Sequence, residues 1–179
     1  ADWQAQSHGF EAMAYWTGGE EFNLVSGDGT EKIRAAYVSA SLFPVLRINP
    51  RLGRGFAPED DRPKGPPVAV ISESMWRNRF GGDPQVLGQT LTMDSFGRRT
   101  YTIVGVMPAG FGFPENSELW LAAGWNGLPQ DRRGGQWLNV VARLADGVNV
   151  AKARGELTAI QARLARENTN SRLGSEVSV

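Results

Sequence analysis

Residues Val68–Pro108 read VAVISESMWRNRFGGDPQVLGQTLTMDSFGRRTYTIVGVMP, and this stretch decides how the rest of the chain is understood. Val68 to Ile71 are four apolar residues in a row, three of them β-branched, the pattern of a short strand covered on both faces. Ser72 then stands where a helix N-cap accepts free N–H groups, and Met75, Trp76 and Phe80 give that helix an apolar stripe. Gly81-Gly82 ends it. Asp83 with Pro84 repeats the cap signal for one further turn, because proline is pre-set for the first helical position. Leu91 and Met93 alternate with Thr90 and Thr92, Asp94 to Gly97 turns the chain, and Tyr101, Ile103 and Gly105 alternate on the way back. The stretch predicts strand, helix, turn and β-hairpin, with no catalytic constellation in it.

Working outward toward the N-terminus, FEAMAYW at 10–16 reads as strand or helix, and a short helix is expected before it, ending near Gly9. Glu21 to Ser26 alternates as a strand, Gly27-Asp28-Gly29 signals a hairpin, and Ile33, Ala35 and Tyr37 line one face of the next strand. Ser39 or Ser41 caps a short helix through Leu46. Residues 49–67, rich in Pro and Gly and carrying EDDRPKGPP, are a polar connection in which Glu59-Asp60-Asp61 is expected to be solvated. The triplet lacks the alternating oxygen ligands of a calcium loop.

On the C-terminal side, Met107 to Pro114 excludes regular structure, Glu118 to Ala122 is a short strand, and 124–136 is loop. Leu138, Val140, Ala142 and Leu144 alternate along a strand. Asn149 caps a helix to about Glu167 whose stripe is Ala153, Leu157, Ile160 and Leu164. Val177 and Val179 begin a last strand, so 137–179 reads as β-α-β. The fold class is α+β.

The 179 residues suffice to bury roughly 70% of the unfolded surface. Nineteen acidic residues balance sixteen Arg and three Lys, and the basic residues are scattered, which argues against a nucleic-acid face. No cysteine is present, so no disulfide or thiolate site exists. No run of about 18 apolar residues occurs, and because the first residue is Ala1 rather than Met and DWQAQSHGF after it is no signal peptide, the chain reads as a piece of something larger.

Chemistry is sparse. His8 is the single histidine, Ser72 and Ser74 lack a nucleophile elbow, and Gly53-Arg54-Gly55 is no phosphate loop. Glu59 with Asp60, or Glu115 with Glu118, are the carboxylate pairs. No catalytic, cofactor or metal residue is assigned. Trp76 and Trp120 read as core. Phe111, Phe113, Trp125 and Trp137 sit in Pro/Gly loops, either as a partner surface for carbohydrate or peptide or as plugs of a small β domain.

The order YVSASLFPVLRINPRLGRGF, VAVISESMWRNRFGGDPQVLGQTLTM, YTIVGVMPAGFGFP, ELW and VVARLADGVNVAKARGELTAIQARLARE resembles the MacB-like periplasmic core domain of ABC transporter permeases. The resemblance covers nearly the whole chain and rests on turn residues at fixed spacing. It implies a porter-like α/β subdomain formed by both chain ends, 1–46 plus 135–179, with an inserted β-rich subdomain at 47–134. It implies a non-catalytic extracytoplasmic domain of an FtsX-like permease, without cofactor, anchored in the bacterial inner membrane by flanking helices. The implied partners are transmembrane helices of the same chain, an ATP-binding domain or subunit, a periplasmic adaptor and a permease dimer. Its implied role is to transmit ATP-driven motion to the periplasmic side for substrate export. The alternative function is a carbohydrate- or peptide-binding module using the loop aromatics.

Overall fold

The computed structural model describes residues 7–27, 29–94, 97–124 and 138–167. The chain forms strands β1 (Phe10–Ser26) and β2 (Gly29–Val38), helix α1 (Leu42–Leu46), and strands β3 (Leu52–Gly53) and β4 (Val68–Ile71). Helix α2 (Glu73–Phe80), a 3-10 turn at Pro84–Val86 and strands β5 (Thr90–Asp94), β6 (Arg98–Val106), β7 (Leu119–Ala122) and β8 (Asn139–Leu144) follow, and helix α3 (Val150–Glu167) ends the described chain. The mixture is α+β, as expected.

Within one sheet the strand order is β2-β7-β4-β6-β5-β1-β8. A second pairing, β1 with β2, joins the two ends of most of that order, so β1, β2, β7, β4, β6 and β5 form a closed ring. The β1–β5 side of the ring is held at a single register pair, Leu24 with Met93. Closure of this kind removes the open edges that an isolated sheet would present. β8 stays outside the ring, paired with the first half of β1 from Phe10 to Trp16.

Period-2 alternation sorts the side chains onto two cores. Inside the ring lie Ile33, Ala35, Ala69, Ile71, Leu91, Met93, Tyr101, Ile103, Leu119 and Leu121, joined by Met75 and Trp76 of α2. Their neighbours Ala36, Val38, Val68, Val70 and Trp120 face the other way, onto Leu42, Phe43 and Val45 of α1 and onto Phe56. All four residues of β4 are therefore buried, which is why the chain spends VAVI there.

Local signals are realised in detail. Ser72 Oγ accepts from Met75 N at 3.1 Å, and Gly81 terminates α2 with φ 62°. The Asp83 side chain accepts from Gln85 N at 2.8 Å. Asn149 Oδ1 accepts from Lys152 N at 2.9 Å, and Ala153, Leu157 and Ile160 are buried; the Leu164 side chain lies outside those described. Ser41 is the N-cap residue of α1 but makes no side-chain cap; its hydroxyl donates to Met13 O at 2.8 Å instead.

Three readings are corrected. Residues 7–9 are not helical, and 10–26 form one strand, because both sides of β1 find partners that a helix would forfeit. The connection 49–67 contains β3, with Leu52 opposite Val106 and Gly53 opposite Gly105. The acidic triplet is not simply solvated: Asp60 is 2% exposed, because Arg54 and a backbone amide give its carboxylate partners. The expected strand at 177–179 lies outside the described residues. Strands on both sides of the expected boundary near residue 47 are hydrogen-bonded to each other, β2 to β7 and β1 to β5.

Candidate partner surface

The loop between β6 and β7 carries the first two aromatic candidates. Its fold is set by its own polar groups. Phe111 N donates to Pro108 O at 3.3 Å, and Ser117 N donates to Gly112 O at 2.8 Å and to Pro114 O at 2.9 Å. Ser117 Oγ donates to Pro114 O at 2.6 Å, and Arg34 Nη1 reaches across from β2 to Glu115 O at 3.1 Å. The Phe113–Pro114 peptide is cis. Glu115 and Asn116 both adopt left-handed backbone, φ 53° and 57°, a conformation that costs an L residue roughly 1 kcal/mol or more and persists where surrounding bonds over-determine it.

Phe111 and Phe113 leave this loop toward different neighbours. The Phe111 ring lies 5.2 Å from Trp120 and 6.1 Å from Phe43, centroid to centroid. Phe113 meets Trp16 edge-on at 5.0 Å, and its carbonyl accepts from Trp120 Nε1 at 2.8 Å. Both rings are half-buried against the outer core. Trp125 and Trp137 lie outside the described residues. Trp76 and Trp120 are core, at 8% and 0% exposure, as read from the sequence.

Beside the loop, the first turns of α2 and the segment from Pro108 to Glu118 enclose an open cleft of about 570 Å³. Its walls include Ser74, Arg77 and Asn78 from the helix and Phe111, Asn116 and Glu118 from the loop and the start of β7. Arg77 is already engaged, donating through Nη2 to Glu73 Oε1 at 2.9 Å, while Arg51 donates to the same oxygen at 2.6 Å. The sequence did not single out Asn78, which comes from a separate element; no local spacing rule joins it to Asn116 and Glu118.

A second polar cluster fastens the 54–61 segment to the ring. Arg54 Nη1 donates to Asp60 Oδ2 at 2.6 Å, and Ala57 N donates to the same oxygen at 2.8 Å. Asp61 Oδ2 accepts from Ala40 N at 3.0 Å, and the Tyr15 hydroxyl donates to the carboxylate at 3.3 and 3.4 Å. Burial pushes the Asp61 carboxyl above its ordinary range, against the hydrogen bonds from Ala40 and Tyr15 that favour the anion. Burial, then the facing carboxylate, raises the Tyr15 phenol. With Asp60 committed to Arg54, the Glu59–Asp60 pair is not arranged as two free carboxylates. Among the described residues no group of three or more His, Cys, Asp or Glu is placed to hold a metal ion. None of their helices is long and apolar enough to cross a membrane.

The geometry finds its counterparts among known folds. The family model described as MacB-like periplasmic core domain matches residues 1–160. The periplasmic region of MacB from Actinobacillus actinomycetemcomitans superposes with a TM-score of 0.66 at 16% identity, over 96% of this chain and 74% of that one. A domain of a putative permease protein from Porphyromonas gingivalis gives 0.67 at 22% identity, over 90% and 68%. The extracellular domain of the noncanonical ABC-type transporter YknZ from Gram-positive bacteria gives 0.65 at 13%, over 96% and 84%. No curated protein matches the chain by sequence. At these identities the superpositions show a shared fold, and the family match over most of the chain supplies the rest: the chain belongs to the MacB-like periplasmic core domain family, whose members are parts of ABC transporter permeases.

Proposed function

We propose that this is a non-catalytic extracytoplasmic domain that passes ATP-driven motion of a permease's membrane helices to the periplasmic side for substrate export. The observation that carries the reading is the family match over residues 1–160. In it, flanking helices anchor the domain to the inner membrane, ATP is hydrolysed by a separate domain or subunit, and a dimer of permeases works with a periplasmic adaptor. The end-derived part, 1–46 plus 135–179, receives the movement, and 47–134 rides on it.

The packing supports such transmission. β8 is bonded to the first half of β1, and that half-strand is tied by Tyr15 and Met13 to the turn before α1. A displacement of β8 therefore meets side-chain hydrogen bonds as well as sheet pairing before it reaches the ring. In the full-length permease, deleting this domain is expected to abolish export while ATP hydrolysis by the ATP-binding domain persists. Export that survives the deletion, or the absence of membrane helices flanking the domain in the full-length chain, overturns the proposal.

A further inference from the structure

We propose that the cleft between α2 and the Pro108–Glu118 loop is a binding site for a saccharide. This goes beyond the transport reading and does not depend on it. The cleft volume, about 570 Å³, lies in the range of small-ligand sites. Among the described residues, the side chains of Asn78, Asn116 and Glu118 have no hydrogen-bond partner, although all three line the cleft. Two amides and a carboxylate offer both donors and acceptors, the complement of a ligand whose hydroxyls each donate and accept. Phe111, tilted 35° against Trp120 and itself among the residues lining the cleft, offers the apolar surface that the C–H face of a sugar ring needs.

Other ligand classes fit less well. An anion finds no free cation, since Arg77 is held by Glu73. A metal ion finds only one unpaired carboxylate there, and no metal-holding group of acids occurs among the described residues. Rigidity favours a site as well. The loop wall is pinned by Ser117, Arg34 and Trp120 in a conformation that includes two adjacent left-handed residues, so it is shaped before any ligand arrives.

The test titrates the ¹⁵N-labelled domain with glucose, N-acetylglucosamine, maltose and N,N′-diacetylchitobiose, and separately with a Ser-Asn-Gly-Lys tetrapeptide. At least one saccharide is expected to give saturable shifts at the Asn78 and Asn116 side-chain amides and around Phe111. Asn78→Ala and Glu118→Gln, both outside the core, are expected to weaken that binding about tenfold, the worth of a hydrogen bond or two, with unchanged thermal melts. No saturable shift with any of the four sugars, shifts mapping elsewhere, undiminished affinity in both variants, or a response to the tetrapeptide alone overturns the proposal.

Discussion

Arg143 on β8 donates twice to a single acceptor, the carbonyl oxygen of Val45 near the end of α1: Nε at 3.0 Å and Nη2 at 2.6 Å. A cation at a helix C-terminus satisfies a carbonyl that the helix itself leaves free and meets the negative end of its dipole. The two residues are 98 positions apart, so this contact is a tertiary link between the strand outside the ring and the helix packed on it. Arg143→Met removes both bonds and is expected to cost about 1–2 kcal/mol, with Arg143→Lys recovering part of it. Urea unfolding measures both. A methionine variant as stable as the parent would show that the link contributes nothing.

Asp61 should behave differently according to what replaces it. Asp61→Ala removes the carboxylate that accepts from Ala40 N–H and from the Tyr15 hydroxyl, at about 1–3 kcal/mol. Asp61→Asn keeps an acceptor and removes the desolvated charge, so it costs less. The sign of the pH effect follows from the raised folded-state carboxyl. A raised acid binds protons more readily folded than unfolded, so its ionisation penalises the fold above that pKa and the penalty disappears as pH falls through it. The stability of Asp61→Asn relative to the parent is therefore greatest near neutrality and falls in acid. A difference that is flat between pH 3 and 7 would contradict this.

Glu156 on α3 gives the opposite slope. Its carboxylate accepts from His8 N at 2.7 Å and Gly9 N at 2.8 Å, and these bonds, that from His8 foremost, hold it below the ordinary value of 4.5. The stabilisation is present above the unfolded pKa and is lost as pH falls through the folded one. Glu156→Gln should flatten that part of the acid limb, read from amide exchange at His8 and Gly9 across pH 3 to 6. An unchanged acid limb counts against it.

Glycines in the decisive stretch separate by what surrounds them. A Cβ at Gly105 would fall on the Arg54 carbonyl oxygen across the β3–β6 pairing, and backbone cannot step aside, so Gly105→Ala should prevent folding. Gly82 has φ 72° and open space, so Gly82→Ala carries only the left-handed penalty of about 1–2 kcal/mol. Asp83→Ala loses one cap, again about 1 kcal/mol. Soluble expression and melting temperature rank the three, and a folded Gly105→Ala would disprove the close approach.

Gly155 is the contrary case. It sits exposed within α3 with nothing within 4 Å of an added Cβ, so Gly155→Ala should stabilise by up to about 1 kcal/mol. A thermal melt decides it.

What the sequence alone determined was carried by neighbours along the chain. Ser72 and Asp83 declared themselves as caps because a cap bonds an amide two or three residues ahead. The β5–β6 hairpin and the burial of VAVI followed from alternation, and the fixed turn residues identified the family. Tertiary structure alone decided which strands meet. Period-2 alternation fixes two faces of a strand but names no partner beyond the one a tight turn supplies, so the β1–β2 hairpin was legible from its Gly27-Asp28-Gly29 signal while the parallel pairing of β2 with β7 and the contact of β1 with β5 were not. The same reason hid the fate of Asp60 and Asp61: a polar loop reads as solvated until Arg54, Tyr15 and Ala40 are brought to it. It also hid the cleft, whose walls come from α2 and from a loop beyond the hairpin, and which exists only once the ring has put them side by side.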